Sequence, residues 1–333
     1  MKILAVTNML PSPQAPALGI FVQQQIDSLK QLGLRVEVLF VDRQKGVRVY
    51  WQIAKQVHQR TVLGQADLVH VMYGGVMAER VTHALRKIPT VVTFHGSDLL
   101  GEHLSGFLRK CASTYGIRCS YKAARQADGV VVVSNQLKDK LTGVIEPSKI
   151  EVIPCGIDLE RFKPFSRADC RAKLGWETDS YHVLFPSNNG NPVKRPELAE
   201  ATVSALRESG VPVRLHYLRG VSNSDVPYWL NASDALLLTS LHEGSPTVVK
   251  EALACNVPIV SVDVGDVQER IEGIAGCYLA NSDPVDLAAK LRLVFSGPQS
   301  ITGRFRVREL SLLKVAERLQ GFYKEILAKV KAK

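Results

Sequence analysis

The sequence predicts an α/β protein made of two doubly wound, parallel-sheet halves. Three observations carry that expectation. Short apolar runs alternate with stretches of helical length, the pattern of a parallel sheet covered by helices. The chain of 333 residues exceeds one comfortable core, and about 100 to 200 residues per domain argues for two. Midway, a short strand followed by Pro154, Gly156 and Pro164 interrupts the alternation, which then begins again. The boundary is expected near residue 165, giving a first domain over 1–165, a second over 166–310 and a terminal segment over 311–333.

In the first half, Ile3 to Thr7 is a strand, and the prolines between Asn8 and Gly19 exclude regular structure and make a loop. A helix follows from Ile20, with Phe21, Ile26, Leu29 and Leu32 as its apolar set and Gly33 near its stop. Val36 to Val41, Leu68 to Met72, Thr90 to Phe94 and Gly129 to Val133 are the next strands. Gly19 reads either as a helix-entry glycine or as a residue whose missing side chain lets the loop approach a ligand. His95, Ser97 and Asp98 follow the fourth strand directly, at the carboxyl edge where α/β sheets bind ligands. Ser134 is read as an N-cap.

The second half restarts with strands at His182 to Phe185 and Val213 to Tyr217 and helices at Pro196 to Glu208 and Val226 to Asn231. Asp234 to Thr239 is short and apolar enough for a strand buried on both faces. The chain then turns into S-L-H-E-G-S-P-T-V-V-K-E-A-L-A-C-N, residues 240–256. Ser245 and Pro246 read as N-cap and first helical residue, Val248, Val249, Ala252 and Leu253 as the buried stripe, and Asn256 as the left-handed stop. A strand, a tight turn and a helix whose first N–H groups open toward the strand end make a cradle for an anion. Glu243 and Glu251 bracket it. At helical spacing they stand about 80° and about 12 Å apart, too far to share a proton and suited to one long ligand. Val257 to Val262 is a further strand, and Asp266 to Ile271, Pro284 to Phe295 and Val307 to Lys329 read as helical.

The segment E-G-S-P-T-V-V-K-E-A-L-A-C-N-V-P resembles the Glu, seven residues, Glu signature of retaining GT-B glycosyltransferases, most closely family 4. H-G-S-D at 95–98 and I-P-C-G-I-D-L-E-R-F-K-P at 153–164 are similar to two further motifs of that family. The resemblance implies two Rossmann-like domains facing across a cleft, with the last helix crossing back to the first domain. It also implies a nucleotide-diphosphate sugar as co-substrate, with no cofactor. On its terms Glu243 is the sugar-side carboxylate and Glu251 the ribose ligand. Gly244, Ser245, Pro246, Thr247 and Val248 line the diphosphate, and His95 stands near the transferred sugar and the acceptor. Gly19, Ser97 and Asp98 belong to the acceptor or phosphate loop.

The match has departures. The family has Gly-Arg after the strand that here ends at Phe185, and Lys-Gly a few residues on, the two cations gripping the diphosphate. Here Pro186 and Ser187 stand in the first place, with Asn188 next, and Arg195 follows Lys194. Lys194 therefore matches the family lysine, while the arginine's role is open or falls to Arg195. Arg219, after Tyr217, is a further candidate for the base or phosphate region. Asn256 stands where glycine is usual, and Gly265-Asp266 where Gly-Gly is common.

Composition narrows the alternatives. A hydrophobic share of 46% with 22% charged residues is ordinary globular usage and leaves nothing low-complexity. The six cysteines form no C-x-x-C pair, so neither a zinc site nor a redox dithiol is indicated. No run approaches the roughly 20 apolar residues of a spanning helix, and the start lacks a signal-peptide layout; a cytoplasmic protein with reduced thiols is expected. Net charge is +10 and sits almost wholly in the first half, where residues 1–165 carry 21 Lys+Arg against 13 Asp+Glu. Two acid-free stretches, 43–60 and 109–125, concentrate it. In the first, Val47, Val49, Tyr50, Trp51 and Ile53 interleave with the cations, which fits either a solvated face or a surface for anionic lipid headgroups, peripheral on a membrane's inner face. No nucleic-acid module is present, and no nucleic acid is expected as a partner.

These parts predict transfer of a sugar from a nucleotide-diphosphate sugar to a saccharide or lipid-linked acceptor. Lys194, with Arg195 and the helix end, would stabilise the departing diphosphate without a metal, since the sequence has no Asp-x-Asp triplet. The alternatives are a nucleotide-sugar epimerase sharing the cradle, or a basic lipid- or nucleic-acid-binding protein with degenerate catalysis.

Overall fold

The computed structural model describes the chain except residues 13–14, 16–17, 47, 86–87, 102–105, 187–190, 299 and 333 and the side chains of 62–64. It divides into two compact units, Met1–Gly156 with Leu312–Lys333, and Ile157–Ser311.

The first unit runs β1 (Lys2–Thr7), α1 (Ile20–Gln31), β2 (Arg35–Phe40), α2 (Arg48–Gly64), β3 (Leu68–Val71), α3 (Gly75–Ala84), β4 (Thr90–Phe94), α4 (Ser97–Leu100), α5 (Phe107–Gln126), β5 (Gly129–Val132), α6 (Asn135–Leu141) and β6 (Ile150–Val152). All strands are parallel, in the order β2-β1-β3-β4-β5-β6, with Ile3 opposite both Val36 and Leu68. Alternate residues of each strand enter opposite layers because side chains alternate across a pleat. Leu4, Val6, Val69, Val71 and Val92 meet Ile53 and Val57 of α2, Met77 and Val81 of α3, and Ala123 of α5. Ile3, Leu68, Val91 and Val131 meet the other layer, where Leu319, Phe322, Tyr323 and Ile326 lie.

Those last residues belong to a helix after the second unit. Gly129 admits it: a Cβ there would come within 2.8 Å of Ile326 and 2.9 Å of Phe322. Its Tyr323 hydroxyl is 2.6 Å from His70 Nδ1, and His70 Nε2 is 2.6 Å from Thr93 Oγ1. Burial pushes the His70 pKa down to about 3, so this is a neutral strut within the core.

The second unit contains α7 (Arg167–Leu174), β7 (Tyr181–Phe185), α8 (Pro196–Glu208), β8 (Val213–Tyr217), α9 (Val226–Ala232), β9 (Ala235–Leu238), α10 (Thr247–Ala254), β10 (Ile259–Val262), α11 (Val267–Ile271), β11 (Tyr278–Ala280) and α12 (Pro284–Ser296). Its parallel sheet has the order β11-β10-β9-β7-β8. Ala235 to Leu238 are wholly buried, as a two-face-covered strand requires. From β7 the chain winds toward β8, and from β9 it winds the other way toward β10. The carboxyl ends of β7 and β9 are therefore a switch point, where departing connections leave a crevice.

Two expectations are corrected. The units divide at 156/157, not near 165, because Ile157 N–H bonds Leu310 O at 2.8 Å and Phe162 is buried in the second core. The helix expected over Val307 to Lys329 is two pieces, a 3₁₀ turn at Arg304–Leu310 and α13 at Leu312–Lys331. Ser311 bridges to Ile157 in parallel, and that pairing removes the backbone from helix.

Candidate active site

At the switch point of the second unit, the loops after β7 and β9 meet. Pro192–Lys194 forms a 3₁₀ turn capped by the Asn191 side chain, and Leu241 N–H bonds Val193 O at 2.7 Å. This brings Lys194 Nζ to 2.6 Å from Glu243 Oε1. Ser240 Oγ donates to the same oxygen at 2.7 Å. Both partners of the ion pair are 15% exposed, so each would be a poorly solvated charge alone. Oε2 receives no hydrogen bond from any described residue, which leaves Glu243 half committed.

Arg195 does not reach toward a ligand. Its Nε donates to Thr239 O at 2.6 Å and its guanidinium to Ser240 O and Ser282 Oγ at 3.4 and 3.0 Å. At φ +50° it is also a left-handed hinge between the turn and α8. Arg195 is a candidate for the missing arginine's role, and in the structure its donors close the end of β9. Ser187 and Asn188 lie outside the described residues. Arg219 is exposed past the end of β8, with no hydrogen bond or ion pair to a described residue.

The helix begins later than the sequence suggests. Pro246 takes the cap position, with φ −64° and ψ 116°, and no side chain caps it. Ser245 is not the N-cap, because its hydroxyl donates to Asp266 Oδ2 at 2.8 Å. The early N–H groups of Thr247 and Val248 have no acceptor within the helix. Gly244 is buried beneath Gly265, whose Cβ, if present, would lie 2.8 Å from Gly244 O. Glu243 precedes the helix by four residues, so the angular estimate between the two glutamates does not apply. Asn256 does end α10 in the left-handed region, at φ +57°, and its Oδ1 accepts from Arg304 N at 2.9 Å.

Glu251 lies along α10 with no hydrogen bond to its carboxylate from a described residue. Burial pushes its pKa up to about 7, against the opposing pull of Lys250 and Arg161. A carboxyl group held this way is ready for hydroxyl donors, as a ribose would supply.

In the first unit, the loops after β1, β3 and β4 come together at the corresponding switch point. Asp98 is buried and gathers N–H bonds from Gly74 at 3.0 Å, His95 at 3.0 and 3.1 Å and Gly96 at 2.9 Å. Burial raises its pKa while these bonds oppose the rise. Both oxygens are thus occupied, and Asp98 ties the loop after β3 to the loop after β4. Ser97 Oγ pairs with Tyr73 OH at 2.7 Å.

His95 stacks against Tyr73 at 6.2 Å and meets Phe21 at 4.7 Å between centroids. Its Nε2 is 3.1 Å from Met72 O, which can only accept, so the proton sits on Nε2. Nδ1 then faces Cys155 Sγ at 3.6 Å. Gly19 caps α1 at φ +69°, and a Cβ there would fall 2.4 Å from the Met9 backbone. The space a side chain would need at Gly19 is filled by its own chain, which fits a tight loop entry.

Sequence reasoning missed Ser240, Tyr73, Cys155 and Lys250. For Lys250 the signal was present: a lysine beside Val249 on the stripe that meets the core. The basic stretches also resolve differently from expectation. Ile53 is buried and Val49 and Tyr50 pack on the core, so among the described apolar residues of 43–60 only Trp51 faces outward, beneath Arg80 at 5.0 Å. At the start of α5, by contrast, Phe107 and Leu108 are 79% and 81% exposed, followed by exposed Arg109 and Lys110. No helix among the described residues is long and apolar enough to cross a membrane.

Known proteins resemble this chain in sequence and in fold. The model described as Glycosyltransferase Family 4 matches residues 16–161, and Glycosyl transferases group 1 matches residues 190–296. A Bacillus subtilis protein named for teichuronic acid biosynthesis, the glycosyltransferase TuaC, is 29% identical across 80% of this chain and 82% of its own. Sucrose-phosphate synthase from Thermosynechococcus elongatus superposes with a TM-score of 0.82 at 17% identity, over 99% of this chain and 100% of that one. Anabaena HepE in complex with UDP gives 0.70 at 17%, over 98% and 100%. With a glycosyltransferase model on each half and parallel-sheet Rossmann-like units in both, the chain belongs to the GT-B glycosyltransferases.

Proposed function

We propose that this protein is a retaining hexosyltransferase of family 4 that moves a sugar from a nucleoside-diphosphate sugar to a saccharide or lipid-linked acceptor without a metal. The observation that supports it most is Glu243, pinned through Oε1 by Lys194 and Ser240 beside the open end of α10. The diphosphate rests on the Thr247 and Val248 N–H groups and the Lys194 ammonium. Glu251 accepts the ribose hydroxyls, and Glu243 Oε2 orients the transferred sugar.

As the bond from the anomeric carbon to the phosphate oxygen breaks, its electron pair leaves with the diphosphate. The carbon gains oxocarbenium character, and the acceptor hydroxyl attacks the same face. The departing phosphate oxygen takes the hydroxyl proton, so no enzyme nucleophile is needed. Charge on the leaving group meets fixed positive groups, which is where electrostatic catalysis acts. His95 contributes position, since both ring nitrogens already have protein partners.

One further part of the reading concerns the acceptor. The exposed Phe107-Leu108 pair ahead of Arg109 and Lys110 suits an anionic bilayer surface, with apolar wedge and cations adjacent. That would bring the first unit to lipid-linked acceptors on the cytoplasmic face. The test is a panel of nucleoside diphosphates scored by melting shift, with UDP first because HepE holds it. Saturation at one hundred times Kd should add about 2.7 kcal/mol. Product anomers are then assigned by NMR. No shift with any nucleotide overturns the reading, an inverted product overturns retention, and turnover of a nucleotide sugar without acceptor points to an epimerase.

A further inference from the structure

His95 and Cys155 are 60 residues apart in the chain and meet at the carboxyl edge of the first sheet. β4, β5 and β6 lie side by side, and each of the two residues follows an outer strand of the three. Ile153 N–H bonds Val132 O at 2.9 Å, which carries the pairing of β6 with β5 up to the turn. Pro154 then fixes the backbone ahead of Cys155. Behind it, Gly156 runs so close to α13 that a Cβ there would lie 3.1 Å from Leu312 Cα. Cys155 is thereby held with its Sγ 3.6 Å from His95 Nδ1.

The rest of the imidazole is held as well. Met72 O accepts from Nε2 at 3.1 Å, and Phe21 and Tyr73 meet the ring with centroids at 4.7 and 6.2 Å. With its proton on Nε2, the ring has only a lone pair at Nδ1, and the thiol places an S–H donor against it. A second proton, on Nδ1, would exchange that bond for an N–H aimed at sulfur, a weak acceptor. The contact therefore favours the neutral Nε2–H tautomer. That charge state matters beside a carbon gaining oxocarbenium character, because an imidazolium there would repel the developing positive charge.

We infer that Cys155 is a positioning residue whose thiol donates to His95 Nδ1 and so keeps that imidazole neutral and in one orientation beside the transferred sugar. It acts through His95 and need not touch the substrate. The effect on catalysis rests on the donor reading above; the bond between Cys155 and His95 does not.

The test joins ring-nitrogen NMR on histidine-labelled, reduced protein to turnover of UDP-glucose and Kd for UDP, in wild type, Cys155→Ala and Cys155→Ser. If the nucleotide panel selects another base, its glucose ester and diphosphate replace them. The His95 signals are those lost in His95→Gln. Wild type should show the Nε2–H tautomer with a hydrogen-bonded Nδ1, and in Cys155→Ala the Nδ1 resonance should move toward that of an unbonded imidazole. Turnover in Cys155→Ala should fall about threefold to tenfold, the worth of one neutral hydrogen bond, while Kd for UDP stays within about twofold. Cys155→Ser restores a donor and should recover most of the rate and of the resonance position. If Cys155→Ala does not fold, Cys155→Val fills the space without a donor and should give the same result. An unmoved Nδ1 resonance, or unchanged turnover in a folded variant, would overturn the inference. Wild type that binds no nucleoside diphosphate would sink the donor reading, and the Nδ1 resonance alone then upholds or overturns the bond.

Discussion

The Lys194 ammonium and the Glu243 carboxylate meet at 2.6 Å, joining the loop after one strand to the loop after its neighbour. Each neutralises the other at low exposure, so a substitution of either has a cost beyond its own contact. Glu243→Gln keeps the shape and a hydrogen-bond acceptor but removes the charge facing the sugar. Turnover should fall by about 10² or more while nucleotide Kd stays within about threefold. Lys194→Met should lower both kcat and diphosphate affinity. Wild-type turnover in Glu243→Gln would remove the mechanism.

Glu251 carries a pH dependence with a definite sign. Its folded pKa, about 7, lies above the ordinary 4.5, so the folded protein holds a proton that the unfolded chain has released. Between those values the unliganded protein loses stability as pH rises, up to about 3 kcal/mol in total. Glu251→Gln should flatten that decline and raise the melting temperature at pH 8. Ribose hydroxyls need the ionised acceptor, so wild-type nucleotide affinity should climb through pH 7 and the variant's should stay low. Parallel melting curves for the two proteins from pH 5 to 8 would refute the assignment.

Asp98 is expected to matter for folding more than for chemistry. Asp98→Ala strands the N–H groups of Gly74, His95 and Gly96, which should cost about 3 kcal/mol in urea unfolding. Because His95 N–H is among them, activity should fall with stability and recover partly at low temperature. A stable variant with no activity would instead place Asp98 at the substrate.

Gly265 separates packing from catalysis. At φ +60° an alanine is strained, and its Cβ would sit 2.8 Å from Gly244 O and 3.3 Å from Glu243 Cβ. Gly265→Ala should lower stability by about 1–2 kcal/mol through the left-handed backbone, with the clash against Gly244 adding to that. Its kcat should drop by more than that loss explains, as Glu243 is pushed aside. Equal proportional effects on stability and rate would contradict this.

Surface attachment can be tested at α5. Phe107→Ser with Leu108→Ser removes two exposed apolar side chains, each worth about 1.5–3 kcal/mol when buried in a bilayer. Binding to anionic vesicles should weaken at least tenfold with soluble-acceptor turnover retained. Equal wild-type activity on soluble and vesicle-bound acceptors at low and high salt would count against a membrane role.

The sequence by itself determined the alternation, the two sheets, the position of the glutamate-bearing segment and its left-handed end at Asn256. These follow from local period and from residues with narrow backbone preferences, which neighbours in the chain suffice to specify. Only tertiary structure decided where the charges point. That Arg195 meets the carbonyls of Thr239 and Ser240, that Ser245 holds Asp266 and does not cap the helix, and that Asp98 takes the N–H of Gly74 all depend on loops distant in sequence. Hydrogen bonds to a polar side chain are chosen by what folding brings within 3 Å, and one-dimensional spacing carries no record of that choice. The division at 156/157 was hidden for the same reason: a bond between Ile157 and Leu310 joins residues half a chain apart.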